Sequence, residues 1–300
     1  MKKELSVKGQ LRQFIKPAWN VIRDLLPAKT HVQVDHFRAY GHIPNLKHPK
    51  TFAEKIAYRK LYDRDRRIAP LIDKIVSKEM MAARFGPDFI IPTLATFDSE
   101  AEVDFNALTY PCVIKANHAS GVNAFLMERP ANEQKVRRQL GRFLRYQHHK
   151  TSEEWAYSMI RPRLLVEPFI NGGEHGLIDY KFQTFKGKVF AIQVDLDRHT
   201  NHRRCVMDPE WNRMPVEMTF PLYTDPLPPP AKLGEMLRYA EQIGEEFSYV
   251  RVDLYDIGGE VKFSELTFYP GAGIQETFDP PEYDELFGAQ WDLGDSTTQS

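Results

Sequence analysis

The segment at 251–271, RVDLYDIGGEVKFSELTFYPG, constrains the fold most, because it predicts a β-hairpin with a carboxylate in each strand. Asp253 lies in the first run and Glu265 lies in the second, and the pair Gly258-Gly259 separates the two runs. Acidic residues are depleted in strands, so two of them in one hairpin indicate a specific role.

The length of the hairpin loop decides whether the two acids face each other. We expect a three-residue loop at 258–260, which places Asp253 opposite Glu265 and Tyr255 opposite Phe263. The same register gathers Arg251 and Thr267 on the face of the acids. A loop of two residues would shift the register by one and send the acids to opposite faces.

Two carboxylates held this close repel each other unless a cation lies between them or one of them takes a proton. Hard oxygen ligands suit Mg²⁺, which proteins usually share with substrate phosphates. Asp253 and Glu265 are therefore candidate metal ligands. The alternative reading of the hairpin alone is a polar strand that faces solvent.

Composition limits the classes of function. The formal net charge of −1 over 300 residues argues against a dedicated nucleic-acid binder. Cys112 and Cys205 have no metal-site spacing and form no disulfide framework, which favours a reducing compartment and a cytoplasmic location. No apolar run approaches the length of about 18 residues that a membrane span needs.

The N-terminal sequence carries an apolar stripe at helical spacing, formed by Leu11, Ile15, Trp19, Ile22 and Leu26. Such a helix either packs on its own domain or lies on a membrane surface. Peripheral contact with the inner face of the membrane is therefore the alternative to a purely cytoplasmic location.

Local patterns predict an α+β chain. Helices are expected at 51–61, 71–85, 132–147 and 232–247, strands at 111–116, 124–129 and 164–170, a hairpin at 179–196, and a long connection at 205–230. Helices and antiparallel hairpins are segregated, which is typical of α+β folds. The strand–loop–strand unit at 111–129 excludes a P-loop or a Rossmann motif, which need a helix after the loop.

Three further stretches carry groups that suit a nucleotide. Lys115 ends a strand beside the loop HASGVN at 118–123, where an ammonium and free backbone N–H groups suit a phosphate. Lys74 and Lys78 lie one helical turn apart and can reach one anion. The strand LLVEPFI breaks into NGGE at 171–174, which frees backbone groups for a planar base and places Glu174 near hydroxyls. For the lysines, the alternative is a solvated surface.

In this order, these motifs resemble the ATP-grasp superfamily. The matching positions are Asp73-Lys74 with Lys78, the strand 111–115, the hinge 167–170, and Arg251-Val252-Asp253 with 265–267 and Pro270-Gly271. The stretches TFAEKIAYRKLYDRD, VIKANHASG, DYKF, QVDLDRHTNHRR and SELTFYPGAG resemble the TupA-like branch, over about residues 36–290.

The resemblance implies an α+β fold of the ATP-grasp type, with two α+β lobes whose antiparallel sheets enclose ATP, preceded by a short helical N-terminal region. The implied divisions are a helical, substrate-side region at 1–70, an N-terminal lobe at 71–163, a C-terminal lobe at 164–292 and a disordered tail at 293–300.

The resemblance also implies ATP and one or two Mg²⁺ ions as cofactors, with residues in three roles. The nucleotide-binding candidates are Lys74, Lys115, His118, Ser120, Gly121, Glu167, Pro168, Phe169, Ile170, Glu174, Asp179 and Lys181. The metal candidates are Asp253, Glu265 and Thr267. The catalytic candidates are Lys181, Arg198, Asn201, His202, Arg204 and Arg251, with Arg198, His202 and Arg204 expected to hold the acyl phosphate or the substrate carboxylate.

The chain departs from the superfamily at Thr267, where an asparagine is usual, which puts the second metal position in question. The implied activity is a carboxylate–amine ligase that acts through an acyl phosphate. It would join an amino acid to a uronic acid of a cell-surface glycan, with peripheral contact to the membrane or to a polysaccharide-assembly complex. The alternatives are a kinase of the same fold with a hydroxyl acceptor, and a nucleotide-binding scaffold without catalysis.

Overall fold

The computed structural model describes residues 26–173, 175–198 and 200–294. Most of the predicted N-terminal stripe (Leu11, Ile15, Trp19 and Ile22), Glu174 and the tail 295–300 lie outside the described residues. Within the described ranges, no helix combines the length and the apolar composition that a membrane crossing needs.

The described α-helices are α1 Ala28–Tyr40, α2 Phe52–Leu61, α3 Ile68–Ile72, α4 Lys74–Phe85, α5 Glu133–Arg145, α6 His148–Ser152, α7 Leu233–Gly244 and α8 Glu282–Gln290. Helices α2, α5 and α7 follow the predictions at 51–61, 132–147 and 232–247 closely. The prediction of one helix at 71–85 is wrong, because Asp73 separates α3 from α4. The Asp73 carboxylate caps α4 by accepting from the backbone N–H groups of Ile75 and Val76.

The strands of the described residues form three antiparallel sheets. They are β1 Ala95–Phe97, β2 Cys112–Ala116, β3 Asn123–Leu126, β4 Leu164–Pro168, β5 Asp179–Phe185, β6 Lys188–Leu196, β7 Arg203–Met207, β8 Glu217–Met218, β9 Val250–Ile257, β10 Glu260–Thr267 and β11 Phe278–Asp279. The sheet orders are β1-β4-β2-β3, β10-β9-β5-β6-β7 and β11-β8. The expectation of a connection without strands over 205–230 is wrong at both β7 and β8. These strands are short, and their sequences show no clear alternation of polar and apolar residues.

The hairpin of β9 and β10 has the predicted partners for the acids but a different loop. Asp253 pairs with Glu265, as expected, yet Ile257 pairs with Glu260, so the loop holds only Gly258 and Gly259. Both glycines have positive φ, which the two-residue type I′ turn requires.

A β-bulge at Ser264 restores the register that the short loop alone would shift. The pairing changes between Phe263 and Glu265, so the extra residue in β10 returns Glu265 to the face of Asp253. The expected pairing of Tyr255 with Phe263 is wrong, since Phe263 pairs with Leu254.

In the part of the chain that the structure describes, the buried apolar residues form two separate cores. The smaller core lies against the four-stranded sheet and joins residues of β2, β3 and β4 to Leu140 of α5. The larger core lies between the apolar face of the five-stranded sheet and its helices, and it includes Phe52 of α2, Met81 of α4 and Trp291 after α8.

These cores divide the chain differently from the expected domain boundaries. Strand β4 pairs with β1 and β2, so the sheet of the first lobe extends past residue 163. Helix α2, expected in a separate region at 1–70, packs in the core of the second lobe, because Phe52 contacts Tyr249 and Phe287 edge to face.

Candidate active site

One face of the five-stranded sheet is polar across all its strands. Cross-strand pairing places Glu265, Asp253, Lys181 and Gln193 in one row. The neighbouring rows hold Thr267, Arg251 and Gln183, and Asp179, Asp195 and Arg204. The opposite face is apolar and packs in the larger core. Alternation along each strand therefore separates a site face from a packing face.

The carboxylate pair is surrounded by cations. Arg251 donates from Nε and Nη2 to the two oxygens of Asp253, both at 2.7 Å, and from Nη2 to Thr267 Oγ1 at 3.0 Å. The Nζ of Lys74 lies 3.5 Å from Glu265 Oε2 and donates to the carbonyl of Ala119 at 2.9 Å. Lys74 thus links the loop after β2 to the carboxylate pair.

The surroundings give the two carboxyls different proton affinities. Burial raises the pKa of Asp253 to about 6, although Arg251 is bonded to it. Burial also opposes ionisation of Glu265, but Lys74 and Arg251 outweigh it and, with Lys181 and Arg198, lower the pKa of Glu265 to about 2. Glu265 therefore stays ionised to a lower pH than Asp253 does.

The donor set fits Mg²⁺ that is shared with phosphates. The hydrogen bonds from Arg251 leave further lone pairs free on Asp253, since a carboxylate offers about four acceptor positions. The side chain of Glu265 is 32% exposed, so its carboxylate is accessible to a metal ion. Among the described residues, no group of three His, Cys, Asp or Glu side chains could hold an ion without other ligands. Mg²⁺ commonly takes one or two carboxylates and fills its shell with water and phosphate.

A buried ion triad lies on the facing sheet. Glu167 of β4 is bonded by Lys78 of α4 and lies 2.5 Å from Lys115 Nζ of β2. Although burial opposes ionisation, the two ammonium groups lower the pKa of Glu167, and burial lowers the pKa of Lys78. The triad joins α4 to the four-stranded sheet and leaves Lys115 partly exposed at the inner surface.

A cavity of about 340 Å³ lies between the two sheets. Six candidates for nucleotide binding line it together: Lys115, Glu167, Pro168, Phe169, Ile170 and Asp179. Phe125 of β3 and Phe169 meet edge to face at its wall, with ring centroids 6.2 Å apart. This volume falls in the range of small-molecule sites.

Arg198 and Asp179 also line this cavity. Arg198 Nη1 donates to Asp179 Oδ2 at 2.6 Å, and this bond, with the charge of Asp179, raises the pKa of Arg198 although burial opposes it. The sequence placed Arg198 with His202 and Arg204 at the substrate carboxylate. In the structure, Arg198 lines the cavity together with candidates for nucleotide binding.

Asp195, which was not among the candidates from the sequence, pairs with three of the catalytic candidates. The carboxylate accepts from Lys181 Nζ at 2.5 Å and from Arg204 Nε at 2.5 Å, and it lies 3.3 Å from His202 Nε2. These cations lower the pKa of Asp195 against its complete burial. Arg204 and Lys181 are thus engaged within the sheet, and His202 stacks on Phe220 at 3.7 Å.

Glu276, also missed, closes the network behind the hairpin. It lies 3.3 Å from Arg204 and 3.8 Å from Arg251. The backbone of 270–273 turns through left-handed conformations, and a Cβ on Gly271 would lie 2.7 Å from the side chain of Glu276. The Pro270-Gly271 break therefore brings Glu276 to the site face.

The candidates in the loop after β2 differ in burial. His118 is buried and its ring nitrogens lie 3.1 Å from Asn117 Oδ1 and 3.0 Å from the carbonyl of Tyr146, so the ring is engaged inside the lobe. Ser120 and Gly121 are exposed at the tip of the loop. Asn201 is exposed as well, beyond the end of β6.

The missed residues had a recognisable signal. Gln193 and Asp195 alternate with apolar neighbours in QVDL, as Asp179, Lys181 and Gln183 do in DYKFQ. The same alternation drew attention to Arg251 and Asp253, so a search for polar alternation in every strand would have found the whole face.

Comparison with known proteins agrees with this arrangement. A family model described as TupA-like ATPgrasp matches residues 54–292. A search of curated protein sequences gives no significant match.

Several solved structures resemble the chain at low identity. The D-alanine–D-alanine ligase from Bacillus anthracis matches with 17% identity and a TM-score of 0.41, over 67% of this chain and 57% of the ligase. The biotin carboxylase domain of the 2-oxoglutarate carboxylase from Hydrogenobacter thermophilus matches with 17% identity and a TM-score of 0.42, over 78% of this chain and 48% of that one. A RimK domain ATP-grasp protein from Sphaerobacter thermophilus matches with 13% identity and a TM-score of 0.42, over 89% of this chain and 96% of that one. The chain thus spans less than two thirds of the first two of these proteins.

Proposed function

The chain belongs to the TupA-like ATP-grasp family, and from this premise we propose that it is an ATP- and Mg²⁺-dependent carboxylate–amine ligase. The proposed reaction joins an amino acid to a uronic acid of a cell-surface glycan or its precursor. The observation that carries the proposal is the carboxylate pair on the polar face of the five-stranded sheet, which also supplies Asp179 to an inter-sheet cavity lined by Lys115 and Arg198.

The chemistry proceeds in two steps. An oxygen of the substrate carboxylate attacks the γ-phosphorus of ATP, and the bond to ADP breaks, which leaves an acyl phosphate. The amine nitrogen then forms a bond to the acyl carbon, phosphate leaves, and the nitrogen gives up a proton. Catalysis of phosphoryl transfer depends mainly on positioning and charge neutralisation.

Different residues of the site bind the base, the phosphates and the metal ion. The cavity binds the base and the ribose against Phe169 and the hinge, and Lys115 contacts the phosphates. Arg198 and Lys74 bind phosphate oxygens beside the carboxylate pair. Asp253 and Glu265 would hold Mg²⁺, which supplies positive charge to the transferring phosphoryl group.

The proposal is tested by the products of the purified chain. The protein is incubated with ATP, Mg²⁺, uronic-acid glycans and amino acids, and products are identified by mass. We expect ADP, phosphate and an amide, with ADP release dependent on the amine. A stable phosphorylated product would favour the kinase, and nucleotide binding without turnover would favour the scaffold.

Glu265→Gln tests the metal assignment in the same assay, and Glu260→Gln is its matched control. It keeps the size of the side chain but removes the charge, so we expect ADP formation to fall below detection while the protein stays folded. Glu260→Gln removes a carboxylate from the exposed turn of the same hairpin and should leave ADP formation unchanged. Equal activity of the two variants would overturn the metal assignment.

A further inference from the structure

The segment between α5 and β4 holds a buried carboxylate that the candidate active site has not used. The side chain of Glu154 is 6% exposed, and its Oε2 lies 3.3 Å from His148 Nε2, which donates because an ionised carboxylate only accepts. In the described part of the chain, no lysine or arginine lies within ion-pair distance of it. A carboxylate offers about four acceptor positions, so Glu154 can accept further hydrogen bonds.

The local backbone turns Glu154 towards the interior. Helix α6 ends at Ser152, and Glu153 follows in the left-handed conformation with a φ of 58°, which glycine usually adopts at the end of a helix. This turn brings Glu154 back to His148, while Glu153 itself lies 2.5 Å from His31 of α1. Two consecutive glutamates therefore have different surroundings: Glu153 has a partner on another helix, and Glu154 is buried beside one imidazole.

Two tyrosines lie close to this carboxylate. The ring of Tyr157 meets the ring of His148 edge to face, with centroids 4.5 Å apart. Burial raises the pKa of Tyr157, and the charges of Glu154 and Glu265 raise it further, so its hydroxyl lies near both acids. Tyr269 is buried, and within the described residues its hydroxyl has no hydrogen-bond partner. Burial raises the pKa of Tyr269 too, and the charge of Glu154 contributes to the rise.

The same segment is connected to the carboxylate pair through the loop after β2. The carbonyl of Tyr146 lies 3.0 Å from His118 Nε2, and the next residue, Ala119, accepts from Lys74. The Nζ of Lys74 lies 3.5 Å from Glu265. Among the described residues, the lining of the inter-sheet cavity includes neither Glu154 nor the two tyrosines. The cluster therefore lies near the carboxylate pair but outside the cavity proposed for the nucleotide.

The chemistry of the cluster fits an ammonium group. A buried negative charge needs a cation or several hydrogen-bond donors, and an ammonium supplies both. The hydroxyl of Tyr269, which has no partner among the described residues, can accept one of its protons. An anion would be repelled by Glu154. A metal ion fits less well, since no group of three His, Cys, Asp or Glu side chains in the described ranges is placed to hold one.

We propose that Glu154 binds the protonated amino group of the acceptor and takes a proton from it before the amine attacks the acyl phosphate, an inference that rests on the proposed function. The ammonium gives one proton to Glu154. The neutral nitrogen then forms a bond to the acyl carbon, and the bond from that carbon to the phosphate oxygen breaks. The second proton of the nitrogen leaves with the phosphate. Tyr157 and Tyr269 orient the nitrogen through their hydroxyls.

The test separates the two steps of the reaction by a change of nucleophile. The protein receives ATP, Mg²⁺ and oligogalacturonate with either hydroxylamine or an equimolar mixture of the common amino acids. Hydroxylamine is uncharged at neutral pH, so it attacks an acyl phosphate without first losing a proton. For Glu154→Gln we expect hydroxamate formation within about twofold of that of the unaltered protein and amide formation lower by about a hundredfold or more.

Two further variants show whether the effect is specific. Tyr157→Phe removes one hydroxyl and should raise the amino-acid concentration that gives half-maximal amide formation, with hydroxamate formation unchanged. Glu79→Gln neutralises an exposed carboxylate on α4 and should match the unaltered protein with both nucleophiles.

The outcomes distinguish this inference from the proposed function. Equal loss of hydroxamate and amide in Glu154→Gln would indicate a structural role and overturn the inference. Amide formation by Glu154→Gln at the rate of Glu79→Gln would also overturn it and would leave the ligase activity standing. If the unaltered protein forms neither product, the proposed function fails, and the inference fails with it.

Discussion

At the scale of single residues, Asp195 determines which cations remain available to a substrate. Lys181 and Arg204 both bond to it, so two residues that a sequence suggests as free are part of the sheet's own charge balance. Lys115 and Arg198, which line the cavity, are paired with Glu167 and Asp179 there. The identity of a residue indicated its chemistry, but only the register of the strands showed its partner.

Asp195→Asn should destabilise the fold strongly. The change leaves two buried cations without their counter-charge, and breaking a buried ion pair in this way costs about 3–5 kcal/mol. Urea unfolding followed by circular dichroism measures the free energy of unfolding. Asp88→Asn, at an exposed position, serves as the control and should change it by less than about 0.5 kcal/mol. A loss for Asp195→Asn no larger than that of the control would contradict the network.

At the scale of elements, the hairpin of β9 and β10 depends on two compensating features. The Gly-Gly loop is one residue shorter than expected, and the bulge at Ser264 adds one residue to β10. The sequence predicted the pairing of Asp253 with Glu265 but attributed it to loop length. A bulge has no strong sequence signal, because a serine in a strand fits either a regular or a bulged position.

Insertion of an alanine after Ser264 should therefore separate the acids. With the bulge in place, the inserted residue lies opposite Asp253, so Glu265 and Thr267 turn to the packing face and Leu266 turns to the polar face, which lowers both activity and stability. Ser264→Gly keeps the number of residues and should retain most ADP formation. Both variants are compared by ADP release with ATP, Mg²⁺ and the two substrates, and by thermal unfolding. An insertion variant as active as Ser264→Gly would show that the register of β10 does not position Glu265.

At the scale of the whole molecule, the cavity is bounded by two sheets that belong to different cores. The two lobes of antiparallel sheet were predicted from the family resemblance, and the residues assigned to the hinge, 167–170, line the cavity. The sequence could not predict that α2 packs beside β9, because contacts between residues so distant in sequence leave no local pattern. Domain boundaries read along the chain therefore differ from the division of the cores.

Bound nucleotide should stabilise both lobes together. At a ligand concentration of one hundred times Kd, binding adds about 2.7 kcal/mol to the free energy of unfolding. We expect Lys115→Ala and Arg198→Ala both to reduce the rise in melting temperature that ATP with Mg²⁺ produces, since both residues line the cavity. Lys188→Ala, on the exposed end of β6, is the control. An unchanged rise for Arg198→Ala would return Arg198 to the acceptor end of the site.

The packing of α2 against α8 also sets the order in which the chain can fold. The backbone N–H of Ala53 donates to the Asp284 carboxylate, 231 positions later in the chain. The strands of the four-stranded sheet, in contrast, all lie between residues 95 and 168. Contacts distant in sequence form slowly, because a long loop must close first. During refolding, hydrogen exchange should show protection of β2 amides before those of β9, and the reverse order would contradict this. A nascent chain would then complete its smaller lobe first and gain the nucleotide site only when its last helix has docked.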